Sequence, residues 1–156
     1  MITFTDTYYT RVLKTLKDVI HNEFAENKAY VYINDEFKEF KGASIRLFLN
    51  DSTLVERLNN GDVYEVSIEI SYYLNYPESN TSNDKEDVIE KLLVGTDRLQ
   101  QLLFTNRNYT SGSDRHFFNG TIDNIVVNSK TSDETNIDNL QVSRLNFTCQ
   151  VAMNLT

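Results

Sequence analysis

Hydrophobic residues recur along this chain with two different periods, and the switches between them mark its elements. From about residue 7 to 25, Val12, Leu13, Leu16, Val19, Ile20 and Phe24 fall at helical spacing with Lys14, Lys17, Asp18 and Glu23 between them, which predicts an amphipathic helix. Asp6 or Thr7 supplies its N-cap, since a short side-chain oxygen accepts from the free first-turn amides. The period then drops to two. AYVYI at 29–33 reads as a short strand, 37–40 is open between strand and loop, and 43–49 alternates Ile45, Leu47 and Leu49 against Arg46 and Phe48. NDSTLVERLNNGD reads as a polar connection with room for one helical turn at 54–58.

A long strand follows, with Val66, Ile68, Ile70, Tyr72 and Leu74 toward a core and Glu65, Ser67, Glu69, Ser71 and Tyr73 toward water. Pro77 ends it. Asn83 or Asp84 caps a second helix whose first turn holds Asp84, Glu86 and Asp87, as the helix dipole favours. Its apolar stripe, Val88, Ile89, Leu92, Leu93, Thr96, Leu99, Leu102 and Leu103, reaches about Phe104, with Gly95 a weak spot near the middle. Residues 105–121 form a long loop or one that partly pairs as strand, 121–127 a short apolar strand, and 128–139 a polar connector. The last segment alternates Leu145, Phe147, Cys149, Val151, Met153 and Leu155 against polar neighbours. Leu140 and Val142 are out of phase with it, which predicts a β-bulge near Ser143 or Arg144. No βαβ unit repeats. The expected fold is therefore one α+β domain over 1–156: a mixed or antiparallel sheet of about four to six strands, two amphipathic helices packed on one face, and a long β-hairpin at the end.

Composition narrows the function classes. With 40% hydrophobic residues and nine each of Tyr and Phe, the chain folds despite a mean hydropathy of −0.45. Fifteen basic residues against 23 acidic ones give a net charge of −8, which opposes binding to phosphate backbones or anionic lipid. The excess is local: residues 29–83 hold nine acids and four bases, with Asp51, Glu56, Asp62, Glu65 and Glu69 the main contributors. A lone cysteine makes neither an internal disulfide nor a thiolate zinc site, and no stretch reads as a signal peptide or membrane span, so the chain reads as soluble and of a reducing compartment. Six N-x-S/T sequons then reflect a chain rich in Asn, Ser and Thr.

Candidate chemistry is sparse. The five glycines are scattered and make no phosphate loop, and His21 and His116 lack partners at metal spacing, so neither cofactor nor metal is expected. The Asp114-Arg115-His116 run reads as solvated surface. Cys149 takes the inward phase of its strand and reads as a small buried hydrophobe. Glu65 and Glu69 share an outward face, yet four residues of extended chain hold them about 13 Å apart, too far for a catalytic carboxylate pair. That face, ending at Tyr73, reads as solvated or partner-facing. Phe117 and Phe118, beside Arg115 in a polar loop, either fold back as a lid on the sheet or project as anchors for a partner.

The opening amphipathic helix, the strand YEVSIEISYYLNY, the helix KEDVIEKLLVGTDRLQQLLF and the terminal RLNFTCQVAMNLT together resemble the tail-terminator and neck (tail-completion) proteins of long-tailed bacteriophages. That resemblance implies a non-enzymatic structural virion protein, assembled in the host bacterial cytoplasm as a ring, usually a hexamer. The ring sits on the head-proximal end of the tail tube and meets the head-completion proteins, and DNA passes through its lumen without specific binding. A negatively charged lumen repels passing DNA, which gives the acidic balance a use. The family carries no motif that assigns a role to a single residue here, and only loops and outward strand faces are implied as ring contacts. Two other structural readings share these features: a monomeric α+β binding or adaptor domain, and a head-closure connector of the same virion region. A hydrolase would require His116 or Cys149 in a pocket with a carboxylate.

Overall fold

The structure, a computed structural model, describes residues 7–59, 61–76, 82–112, 114–137 and 139–153. The first helix opens on a reciprocal cap: Thr7 Oγ1 accepts from the Thr10 amide and Thr10 Oγ1 from the Thr7 amide, each at 3.1 Å. Two otherwise unpaired first-turn donors are thereby satisfied. A π-helical turn over Tyr9–Leu13 runs into α1, Lys14–Glu23, and a short 3-10 turn over Ala25–Asn27 closes it.

Six strands follow, β1 Tyr30–Ile33, β2 Gly42–Leu58, β3 Gly61–Asn75, β4 Tyr109–Ser111, β5 Asp114–Val127 and β6 Leu140–Met153, with α2, Ser82–Thr105, between β3 and β4. They form one sheet in the order β1-β2-β3-β6-β5-β4. β1 and β2 run parallel and every other neighbouring pair antiparallel. This is the expected mixed α+β sheet, and β5 and β6 are its terminal hairpin. α2 begins at Ser82, ahead of both expected caps, while Pro77 and Asp6 lie outside the described residues.

The principal core lies where the helices cover one face of the sheet. Leu16 and Ile20 of α1, Leu92, Leu99 and Leu103 of α2, and the inward phases of β2, β3 and β6 make a single apolar cluster. Gly95 is a contact rather than a weak spot: a Cβ there would lie 2.5 Å from Cε1 of the buried Tyr72 ring, so only glycine lets α2 settle onto β3.

Two expectations need correction. The polar stretch after Asn50 is strand, for β2 continues to Leu58 and pairs with β3 to the end of the hairpin, Leu58 opposite Gly61. Register shifts at Leu49/Asp51 and Leu54/Glu56 each move the side-chain phase by one, which erases the alternation that marks a strand. The bulge expected near Ser143 is also absent. β6 pairs with β3 without interruption from Met153 to Leu140, and the irregularities fall in β5 instead. Leu140 and Val142 are out of phase because they point to the other face. There they form a second small core with Tyr73, against which Phe37 and Ile137 pack. Phe37 belongs to the loop after β1, so the ambiguous 37–40 stretch serves as a cover for this face.

Candidate assembly surface

The face of the sheet away from the helices is divided in two. Toward the Gly42, Asn75 and Leu140 ends of the strands it is roofed by the loops 34–41 and 128–139; toward the β2–β3 turn it is more open, with Glu65 exposed and Val63 buried. Under the roof lies a four-membered charge network. Glu69 of β3 pairs with Arg46 of β2, and its Oε1 lies 3.5 Å from Nη1 of Arg144 on β6. Arg144 pairs in turn with Glu134, which the 128–139 loop carries down onto the sheet. Glu134 is 1% exposed and fully occupied: it also accepts from the Thr131 amide and the Tyr73 hydroxyl, each at 3.0 Å. Burial alone pushes the Glu134 carboxyl up, but the Thr131 amide, the Arg144 guanidinium and the Tyr73 hydroxyl together hold it below the usual carboxylate value. Arg46 donates to the carbonyls of Asn34 and Asp35 at 3.1 and 2.9 Å, and so fastens the second loop. Two cations and two anions cancel here.

The residues singled out from sequence fall on both sides of this division. Tyr73 is buried, packed on Phe37 with centroids 4.7 Å apart, and is not on a wet face; the roof loops cover it. Glu69 is half-buried in the network and is no bare acid. Glu65 is exposed on the uncovered half. Phe117 is wholly buried between Tyr109, stacked at 5.8 Å, and Phe147, edge-on at 5.9 Å, which removes it as a partner anchor. It is carried there because β5 begins at Asp114, so the pair stands in a strand and its members face opposite ways. Phe118 is half-buried on the other face with the exposed Arg115 guanidinium 3.8 Å over its ring. His116 Nδ1 lies 3.2 Å from the Thr15 hydroxyl and its ring stands edge-on to Tyr109. Cys149 is buried opposite Val66, and burial, with the Glu65 charge, pushes its thiol up to about 12. Among the described residues no three His, Cys, Asp or Glu side chains cluster for a metal ion, and no helix is long and apolar enough to cross a membrane.

Sequence reasoning missed the two edges of the sheet. β1 pairs with β2 only from Ser44 to Leu47, and among the described residues no strand lies along the outer edge of β2 from Leu49 to Leu58. On the far side β4 pairs with β5 from Asp114 to Phe117, and the Arg107 carbonyl accepts from the Gly120 amide at 2.9 Å; from Thr121 to Val127 that edge also has no strand beside it. Both open stretches expose apolar side chains: Leu54, Val55 and Leu58 on β2, and Ile125, Val126 and Val127 on β5. The outer face of α2 adds Leu93, Val94 at 61% and Phe104 at 63% exposure. A groove of about 740 Å³ runs between the end of α2 and β5, with Leu103, Phe104, Ile122 and Phe147 among its lining residues. The one signal in the sequence is the IVV run at 125–127, which reads as part of a short apolar strand with no place in the sheet assigned to it.

A mixed-sheet α+β fold whose edges, among the described residues, are each only partly covered is the class these features define. No family model and no curated protein matches the chain. Among solved structures it is similar to the sheath/tube terminator, in the extended state, of the extracellular contractile injection system PVC. The likeness has a TM-score of 0.45 at 14% identity and covers 99% of this chain and 58% of that one. The chain thus spans under two thirds of that neighbour's length.

Proposed function

We propose that this protein is a structural assembly subunit that closes into a ring, a hexamer as the phage resemblance implies, and caps the head-proximal end of a tail tube. The observation that carries this reading is the exposed apolar surface at both open edges of the sheet, Leu54, Val55 and Leu58 on one side and Ile125 to Val127 on the other. Apolar surface left in water marks contact sites. Two different surfaces on opposite sides of one subunit suit a head-to-tail contact, which generates a ring when its rotation closes. The ring then presents one rim to the tail tube protein and the other to the head-completion proteins. Four acids, Asp51, Glu56, Asp62 and Glu65, against one base, Arg57, gather on the β2–β3 hairpin, so this is the part that faces the DNA lumen or a basic neighbour. The role is non-enzymatic and its place is the virion.

The test is negative-stain imaging of the protein mixed with assembled tail tubes. Added density at one end of each tube, and tubes that no longer elongate, is the expected result. Tubes that stay bare and keep growing favour the monomeric adaptor reading instead.

A further inference from the structure

We infer that the ring contact is a shared sheet: the open edge of β2 in one copy, Leu49–Leu58, pairs antiparallel with the open edge of β5, Thr121–Val127, in the next. This rests on the ring reading above and names the surface that makes the ring. A strand edge with unpaired amides and carbonyls is a template for another strand, and among the described residues both edges of this sheet are left open, over ten residues of β2 and seven of β5. Their directions agree as well. β2 runs toward the β2–β3 turn and β5 runs away from that end, so two copies standing the same way up bring them together antiparallel, the better-bonded arrangement.

The offset between the edges points to closure. Asp51–Arg57 of β2 is level, through β3, with Thr148–Met153 of β6, whereas Thr121–Val127 of β5 is level with Thr148–Ser143. The two open stretches therefore occupy opposite halves of the sheet. Joining them slides each copy along its strands by about five residues, roughly 17 Å, across four strands about 19 Å wide. That ratio inclines the strands by about 40°, within the roughly 35–45° that a sheet needs to close on itself.

Pairing β2 with β2 instead would bring together two edges that each carry Asp51 and Glu56, while the open stretch of β5 carries a single acid, Asp123. Unlike edges are favoured. An incoming β2 also turns its helix-side phase toward the groove between α2 and β5, where Leu54 has Leu103, Phe104 and Ile122 to pack against.

Single cysteines test the contact in the full chain. One set of variants carries Asp51→Cys, Thr53→Cys or Glu56→Cys, the other Asn124→Cys or Val126→Cys, all on the face of the sheet away from the helices; buried Cys149 stays out of the reaction. Mild oxidation of one variant from each set, mixed, is expected to give a disulfide-linked dimer for at least one combination, because paired strands bring Cα atoms within the roughly 4.4–6.8 Å a disulfide spans. Either variant oxidised alone is expected to stay uncrosslinked. Ring-sized particles by light scattering with no crosslink in any combination overturn the shared sheet and leave the ring standing. Crosslinks within the β2 set alone overturn the pairing of unlike edges. Monomers throughout overturn both the contact and the ring.

Discussion

Phe117 and Phe118 are adjacent, equal in chemistry and opposite in surroundings, because a strand turns neighbouring side chains to opposite faces. Phe117 fills the core against Tyr109 and Phe147, and Phe118 lies half-buried under Arg115. Truncating the first leaves a cavity in a packed aromatic cluster, so Phe117→Ala is expected to cost about 3–5 kcal/mol in urea unfolding. Phe118→Ala is expected to cost under about 1 kcal/mol. Equal losses would contradict the placement. The sequence left lid and anchor open for this pair because strand phase depends on where pairing starts, and the three-residue β4 that starts it is too short to show periodicity. Glu69 and Tyr73 were legible as one face of β3 but not as covered. What covers them, Glu134 and Phe37, comes from loops distant in sequence.

Among the elements, the 128–139 loop is held at both ends and at its middle. Asn128 and Asn139 sit at its two junctions with φ near 61°, a conformation asparagine tolerates better than most residues. Between them Glu134 plugs into Arg144, Tyr73 and the Thr131 amide. Because the folded-state value of the Glu134 carboxyl lies below its ordinary one, its contribution is present above the ordinary carboxylate range and is lost as pH falls through the folded-state value. Glu134→Gln leaves the Arg144 charge without this partner and is expected to destabilise at pH 7 by about 3 kcal/mol, with a shallower loss of stability on acidification. Thermal melts of the two proteins from pH 7 to pH 3 check this; parallel curves would show that the loop is held by Phe37 and Ile137 packing alone. Both helices, β3 and β6 were readable in the sequence because each buries a face against the same core and keeps one period. The distal half of β2 was not. With two register shifts and exposed side chains it has no single buried face to select a pattern.

At the scale of the whole molecule, the helices cover one side of the sheet and two loops roof part of the other, while among the described residues part of each edge, along β2 and β5, has no strand beside it. The net charge of −8 is likewise uneven. Under the roof two acids and two arginines cancel, while on the β2–β3 hairpin four acids stand against Arg57. Open edges and exposed apolar side chains are liabilities in a monomer and contact surfaces in an assembly. The direct measurement is mass by light scattering during size exclusion, over a wide concentration range, alone and with tail tube protein. A ring predicts one sharp species at a fixed multiple of 18.1 kDa, six for a hexamer, that does not grow into longer polymers as concentration rises. A species that stays at 18.1 kDa under every condition would contradict the assembly reading.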